Sequence, residues 1–127
     1  MHLGQDDLPC AVARRILGED YIIGVSAHNP AEAKAALQSG ADYLGCGAVF
    51  GTATKADVKK LGTDGLAAIC KAKGLPVVGI GGVTADNYRE VRAAGADGAA
   101  IVSGILAQPD IRATVRAIAR VSQEFTK

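Results

Sequence analysis

Two stretches decide the fold: Gly40-Ala41-Asp42-Tyr43-Leu44-Gly45-Cys46-Gly47-Ala48-Val49-Phe50 and Gly95-Ala96-Asp97-Gly98-Ala99-Ala100-Ile101-Val102-Ser103-Gly104-Ile105. Each opens on Gly-Ala-Asp and runs into a short apolar segment. Each glycine also follows a stretch with helical character, residues 30–39 in one case and 84–94 in the other. Glycine readily takes the left-handed conformation that ends a helix, so Gly-Ala-Asp reads as the step from helix to strand. Working outward, strands are expected at 21–26, 43–47, 76–80 and 99–102, with Leu3-Gly4-Gln5 as the end of a first strand. Helices are expected at 8–17, 30–39, 64–73, 84–94 and 109–125. Asn29 and Thr84 are the expected N-caps, with Pro30 in the first turn after Asn29. Short apolar strands joined by helices should pair in parallel and be buried on both faces. The expected fold class is α/β, with about five βα units making one domain over residues 1–127.

The composition narrows the function. At 127 residues the chain is the size of one domain; a complete parallel barrel of roughly 250 residues does not fit. With 49% hydrophobic residues there is enough apolar material for a core, so disorder is excluded. Lys and Arg total 14 against 13 Asp and Glu. This balance supplies no electrostatic grip on nucleic acid or an anionic membrane. No run of 18 apolar residues and no signal peptide are visible, and the expected location is the cytoplasm. Cys10, Cys46 and Cys70 are widely spaced in apolar surroundings, which suits buried thiols better than disulfides.

In parallel βα folds ligands meet the C-terminal ends of the strands. That rule collects Gln5, Asp7, Ser26, His28, Thr52, Thr54, Lys55, Gly81, Gly82, Ser103 and Gly104 around one mouth. Gly79-Ile80-Gly81-Gly82 is either a phosphate cradle of backbone N–H groups or a sharp turn without a ligand. Ser103 and Gly104 offer a second small, polar strand end beside it. Thr52-Ala53-Thr54-Lys55 is either a clamp on a polyphosphate or an exposed polar loop. Asp6 and Asp7 can bind Mg²⁺ or cap the next helix. His2 and His28 have no zinc-ligand spacing, and the cysteines form no CxxC pair.

HLGQDD, GVSAH, DYLGCGAVFGTATK, VVGIGGVT and GADGAAIVSGI, in this order, closely resemble the C-terminal half of thiamine-phosphate synthases, a family with a related thiazole tautomerase branch. The resemblance covers nearly the whole chain. It implies a (βα)8 TIM barrel, here a truncated half-barrel, and the joining of hydroxymethylpyrimidine pyrophosphate to thiazole phosphate. The products would be thiamine monophosphate and pyrophosphate. By resemblance Asp7 is a Mg²⁺ ligand, and Ser26 and Lys55 are pyrophosphate contacts of the catalytic centre. Thr52 and Thr54 lie in the substrate loop. Gly82, Ser103, Gly104 and Ile105 form the thiazole-phosphate and pyrimidine end of the pocket. Gln5 is a neighbouring substrate-side residue.

Gly51 stands where the family commonly has proline. The family's basic strand-end segment and Asn-Asp pair, the latter supplying a further Mg²⁺ ligand, have no counterpart before Met1. The resemblance therefore implies a synthase impaired on its own, with apolar edges and helix faces left open. Alternatives are a non-catalytic phosphate-binding half-barrel, a subunit of a split enzyme completed by an N-terminal half, a homodimer, or a tautomerase-like protein.

Overall fold

The computed structural model describes residues 1–51, 60–72 and 74–126. Among these, five parallel strands form one sheet: β1 (His2–Leu3), β2 (Gly24–Ala27), β3 (Tyr43–Cys46), β4 (Val77–Ile80) and β5 (Gly98–Ala100). They lie side by side in chain order. Helices α1 (Cys10–Leu17), α2 (Pro30–Gln38), α3 (Gly62–Lys71) and α4 (Tyr88–Ala93) connect them. A short α5 (Ser103–Leu106) and a long α6 (Ile111–Glu124) follow β5. A strand order that never doubles back is the winding of a barrel rather than of a doubly wound sheet. The fold is a half-barrel of five βα units.

The Gly-Ala-Asp repeat has a physical explanation. Gly40 and Gly95 take φ of 90° and 108° and turn the chain out of α2 and α4. Ala41 and Ala96 are buried beneath those turns. Asp42 then grips the preceding strand segment twice: its N–H donates to the Ile23 carbonyl at 2.7 Å, and its Oδ2 accepts from the Ile23 N–H at 2.8 Å. Asp97 does the same to Val77, at 2.8 Å in both directions. Arg14 reinforces the first grip. Its guanidinium donates to the carbonyls of Gly18, Tyr21 and Gly40 and to Asp42 Oδ2, the last at 2.7 Å.

Because strand side chains alternate, this register sorts the residues onto two faces. Leu3, Val25, Ala27, Leu44, Cys46 and Val77 are buried in one core with Ala13, Ala33, Ala36, Leu66, Ile69 and Val91 of the helices. The opposite face carries His2, Ser26, Tyr43, Gly45, Val78, Ile80 and Ala100, which line a cavity of about 610 Å³. Burial on both faces is therefore not what the structure shows. Ile80 remains 42% exposed, because the helices cover only the outer face and the sheet does not close on itself.

Most boundaries shift by a residue or two. Asn29 caps α2, its Oδ1 accepting from the Glu32 N–H at 2.8 Å. Thr84 does not cap α4, which begins at Tyr88 after Asn87. Tyr21 and Ile22 lie before β2 and are exposed, and the Ile22 carbonyl accepts from the chain's amino terminus at 2.9 Å. The sequence pattern did not suggest α5. Asp110 caps α6 through the Ala113 N–H at 3.0 Å. Tyr88 and Arg92 of α4 both donate to the Ser122 hydroxyl, and so anchor α6.

The Ile23 N–H, and after it the Arg14 guanidinium, hold the Asp42 carboxyl below the usual carboxylate range. A carboxyl lowered in this way stabilises the fold above its ordinary pKa of about 3.9, and that contribution is lost as the pH falls further. We expect Asp42→Asn to melt at a lower temperature than the parent at neutral pH. The gap should narrow as thermal melts are repeated toward about pH 3, below the ordinary carboxylate range. A gap independent of pH would contradict this role for the charge.

Candidate functional site

Two clusters lie on the inner face and reach the predicted mouth. The first spans β1 to β3. Gln5, just past β1, donates its Nε2–H to the Ser26 carbonyl at 2.6 Å and ties the two strand ends together. Asp7 turns back on its own loop, where its Oδ2 accepts from the Gly4 N–H at 2.7 Å. Its carboxylate is exposed and stands apart: among the described residues no three His, Cys, Asp or Glu side chains gather around a metal position. Ser26 points into the inner cavity, and its hydroxyl lies 2.9 Å from His2 Nε2. His2 Nδ1 lies 3.1 Å from the Tyr43 hydroxyl.

Neither His2 nor Tyr43 was expected at the site. The room for their rings comes from glycines. A Cβ on Gly24 would stand 2.0 Å from the Tyr43 ring, and one on Gly45 would stand 2.9 Å from the His2 ring. The available signal was the period of two: His2, Ser26 and Tyr43 all fall on inward positions once the register is known.

The second cluster lies at the ends of β4 and β5. Gly81 and Gly82 have φ of 100° and 67°, a region that other residues enter only with strain. The segment after β3 lies directly against them, with the Val49 N–H donating to Ile80 O and the Phe50 N–H to Gly81 O. A Cβ on Gly82 would meet Phe50 Cβ and Gly51 O at 2.9 Å each. Asn87 holds the turn closed by donating to Gly82 O at 3.0 Å and accepting from the Thr84 N–H at 2.7 Å. Gly51, Gly81, Gly82, Thr84 and Ser103 are among the residues lining a cavity of about 530 Å³. Gly104 sits behind it, where an added Cβ would be 2.2 Å from the Val83 carbonyl oxygen. Ile105, half-buried, does not line this cavity. Ile80 and Ala100 border both cavities and join the two clusters.

Thr52, Thr54 and Lys55 lie outside the described residues, although Gly51, just before them, borders the second cavity. His28 is half-exposed and paired with Glu32 at 2.9 Å, as a surface residue of a helix cap. Cys46 is buried, and burial pushes its thiol up to about 12, so it is protonated and unreactive at neutral pH. None of the three cysteines is in a disulfide; Cys46 and Cys70 are buried and Cys10 is partly so. The described site thus offers hydroxyls, the His2 imidazole, side-chain amides, backbone groups at glycines and one exposed carboxylate, groups that can hold phosphate oxygens.

The sequence profile of the family described as thiamine monophosphate synthase matches residues 1–105. A thiamine-phosphate synthase of Chloroflexus aurantiacus is 48% identical over 98% of this chain and 59% of its own length. That of Moorella thermoacetica is 46% identical over 95% of this chain and 58% of its own length. A solved structure, the thiamine phosphate pyrophosphorylase from Pyrococcus furiosus, superposes with a TM-score of 0.89 at 38% identity. It is matched over 99% of this chain and 60% of its own. The chain thus spans less than two thirds of the length of each of these relatives. The half-barrel, its glycine-lined strand ends and the match over residues 1–105 place the chain in the thiamine monophosphate synthase family.

Proposed function

We propose that this chain contributes the β1–β5 share of a site that joins hydroxymethylpyrimidine pyrophosphate to thiazole phosphate. The supporting observation is that the Ser26 cluster and the Gly81–Gly82–Ser103 cluster line adjacent cavities that share Ile80 and Ala100. In this reading Gly82 and Ser103 receive the thiazole phosphate, while Gly104 and Ile105 shape the turn beneath it. Ser26 contacts the pyrophosphate ester, and Gln5 fixes the strand end that presents Ser26. Lys55, with Thr52 and Thr54, neutralises and encloses the leaving group. The bond from the pyrimidine methylene carbon to the pyrophosphate oxygen breaks and its electron pair leaves on pyrophosphate. The thiazole nitrogen lone pair then forms the new carbon–nitrogen bond. No protein nucleophile takes part, in keeping with a protonated Cys46.

One exposed carboxylate, Asp7, with one oxygen already held by Gly4, does not make a metal cage. It does suit Mg²⁺, which keeps several waters and takes most of its other ligands from substrate phosphates. When bound, that ion would neutralise charge on the departing pyrophosphate. The uncovered inner face is where a further polypeptide segment, from a complementing half or a second copy, would complete the barrel. A second reading, phosphate binding without turnover, draws on the glycine cradle alone.

Two measurements test this. Incubated with both substrates and Mg²⁺, the chain alone should form thiamine monophosphate slower than a full-length relative by roughly 10²-fold or more, the scale of losing one stabilising group. Equal turnover would contradict the view that the site is shared with further polypeptide. In calorimetry with thiazole phosphate, Ser103→Ala should weaken binding by about 0.5–1.5 kcal/mol, the net value of one hydrogen bond. Unchanged affinity would remove Ser103 from the site.

A further inference from the structure

We propose that His2 is a positioning residue: held by Tyr43, it turns the Ser26 hydroxyl into a dedicated donor toward the ligand. This rests on the reading of Ser26 as a ligand contact. The His2 ring is pinned at both nitrogens, to Tyr43 at 3.1 Å and to Ser26 at 2.9 Å. It is exposed, so water could satisfy it, and the two contacts are not forced by burial. Gly24 and Gly45 leave the space in which this pair of rings fits, and any Cβ there would collide with them. The three residues come from three adjacent strands, on the face that lines the cavity.

Proton bookkeeping gives the chain of bonds a direction. A neutral imidazole has one donor and one acceptor nitrogen. The Tyr43 phenol is the more acidic hydroxyl and so the better donor, whereas the Ser26 oxygen is the better acceptor. The favoured arrangement is Tyr43 O–H donating to Nδ1 and Nε2–H donating to Ser26 Oγ. Ser26 accepts from His2, and its own proton is left for a phosphate oxygen. The reverse tautomer would spend that proton on Nε2 and turn acceptor lone pairs toward an anion.

The test has two arms on the full chain. In ¹⁵N-histidine spectra recorded above the ordinary imidazole range, with His28 assigned through His28→Asn, His2 should be the Nε2–H tautomer. Tyr43→Phe should convert it to a mixture. A dominant Nδ1–H tautomer, or one indifferent to Tyr43→Phe, overturns the relay. In calorimetry with hydroxymethylpyrimidine pyrophosphate, Ser26→Ala and His2→Ala should each weaken binding roughly 3- to 10-fold, the scale of one hydrogen bond. The double variant should bind no more weakly than Ser26→Ala. His2→Gln, whose amide donor can stand in for Nε2–H, should recover part of the loss. Full additivity, or loss without rescue, overturns the positioning role. If Ser26→Ala binds as tightly as the parent, the reading of Ser26 as a contact fails, and the tautomer still decides whether the relay exists.

Discussion

The rest of the structure depends on one carboxylate gripping the strand before it. Asp42 holds both backbone groups of Ile23, and the next residues along, Tyr43 and Gly24, thereby become register partners. A slip of one residue would exchange the two faces of the strand. Leu44 and Cys46 would leave the core, and Tyr43 and Gly45 would enter it. Asp97 repeats the grip on Val77 and sets β5 against β4 in the same way. The faces that β3 and β5 present to the cavity follow from these two grips.

On the face so defined, function depends on room as much as on side chains. Gly24 and Gly45 are open where the Tyr43 and His2 rings must lie. At the other end, Gly81 and Gly82 allow the segment after β3 to approach to backbone contact, and Gly104 allows α5 to press against Val83. A side chain at any of these points would fill the space or push the strand ends apart. The abundance of glycine, 16 of 127 residues, is therefore largely a property of the mouth and of the helix ends. The polar groups placed there, Ser26, Gln5, Asn87 and Ser103, need only be few.

What could be read from sequence was what is local. The βα alternation, the helix-ending glycines Gly40 and Gly95, and the Asn29 cap all act within a few residues, and all are where they were expected. Thr84 was misplaced because the helix starts later, at Tyr88, and the segment before it is a turn in which the Asn87 side chain bonds back to the Thr84 N–H and the Gly82 carbonyl. Burial of both sheet faces failed for a different reason: it depends on closure of the sheet, which no local pattern encodes. The His2–Tyr43 contact joins residues 41 positions apart, and only the register brings them together. Gln5, Ser26, Gly82 and Ser103 lie at strand ends, as the βα pattern predicted, and the roles proposed for them come from the family motifs rather than from periodicity.

In the proposed function the two clusters form one ligand site. Amide chemical-shift mapping, with hydroxymethylpyrimidine pyrophosphate and thiazole phosphate added together to the full chain, tests it most directly. Resonances of Gln5 and Ser26 and those of Gly82 and Ser103 should all move, with the affinity for either compound raised by the presence of the other. Shifts confined to one cluster, or two responses with independent affinities, would contradict it.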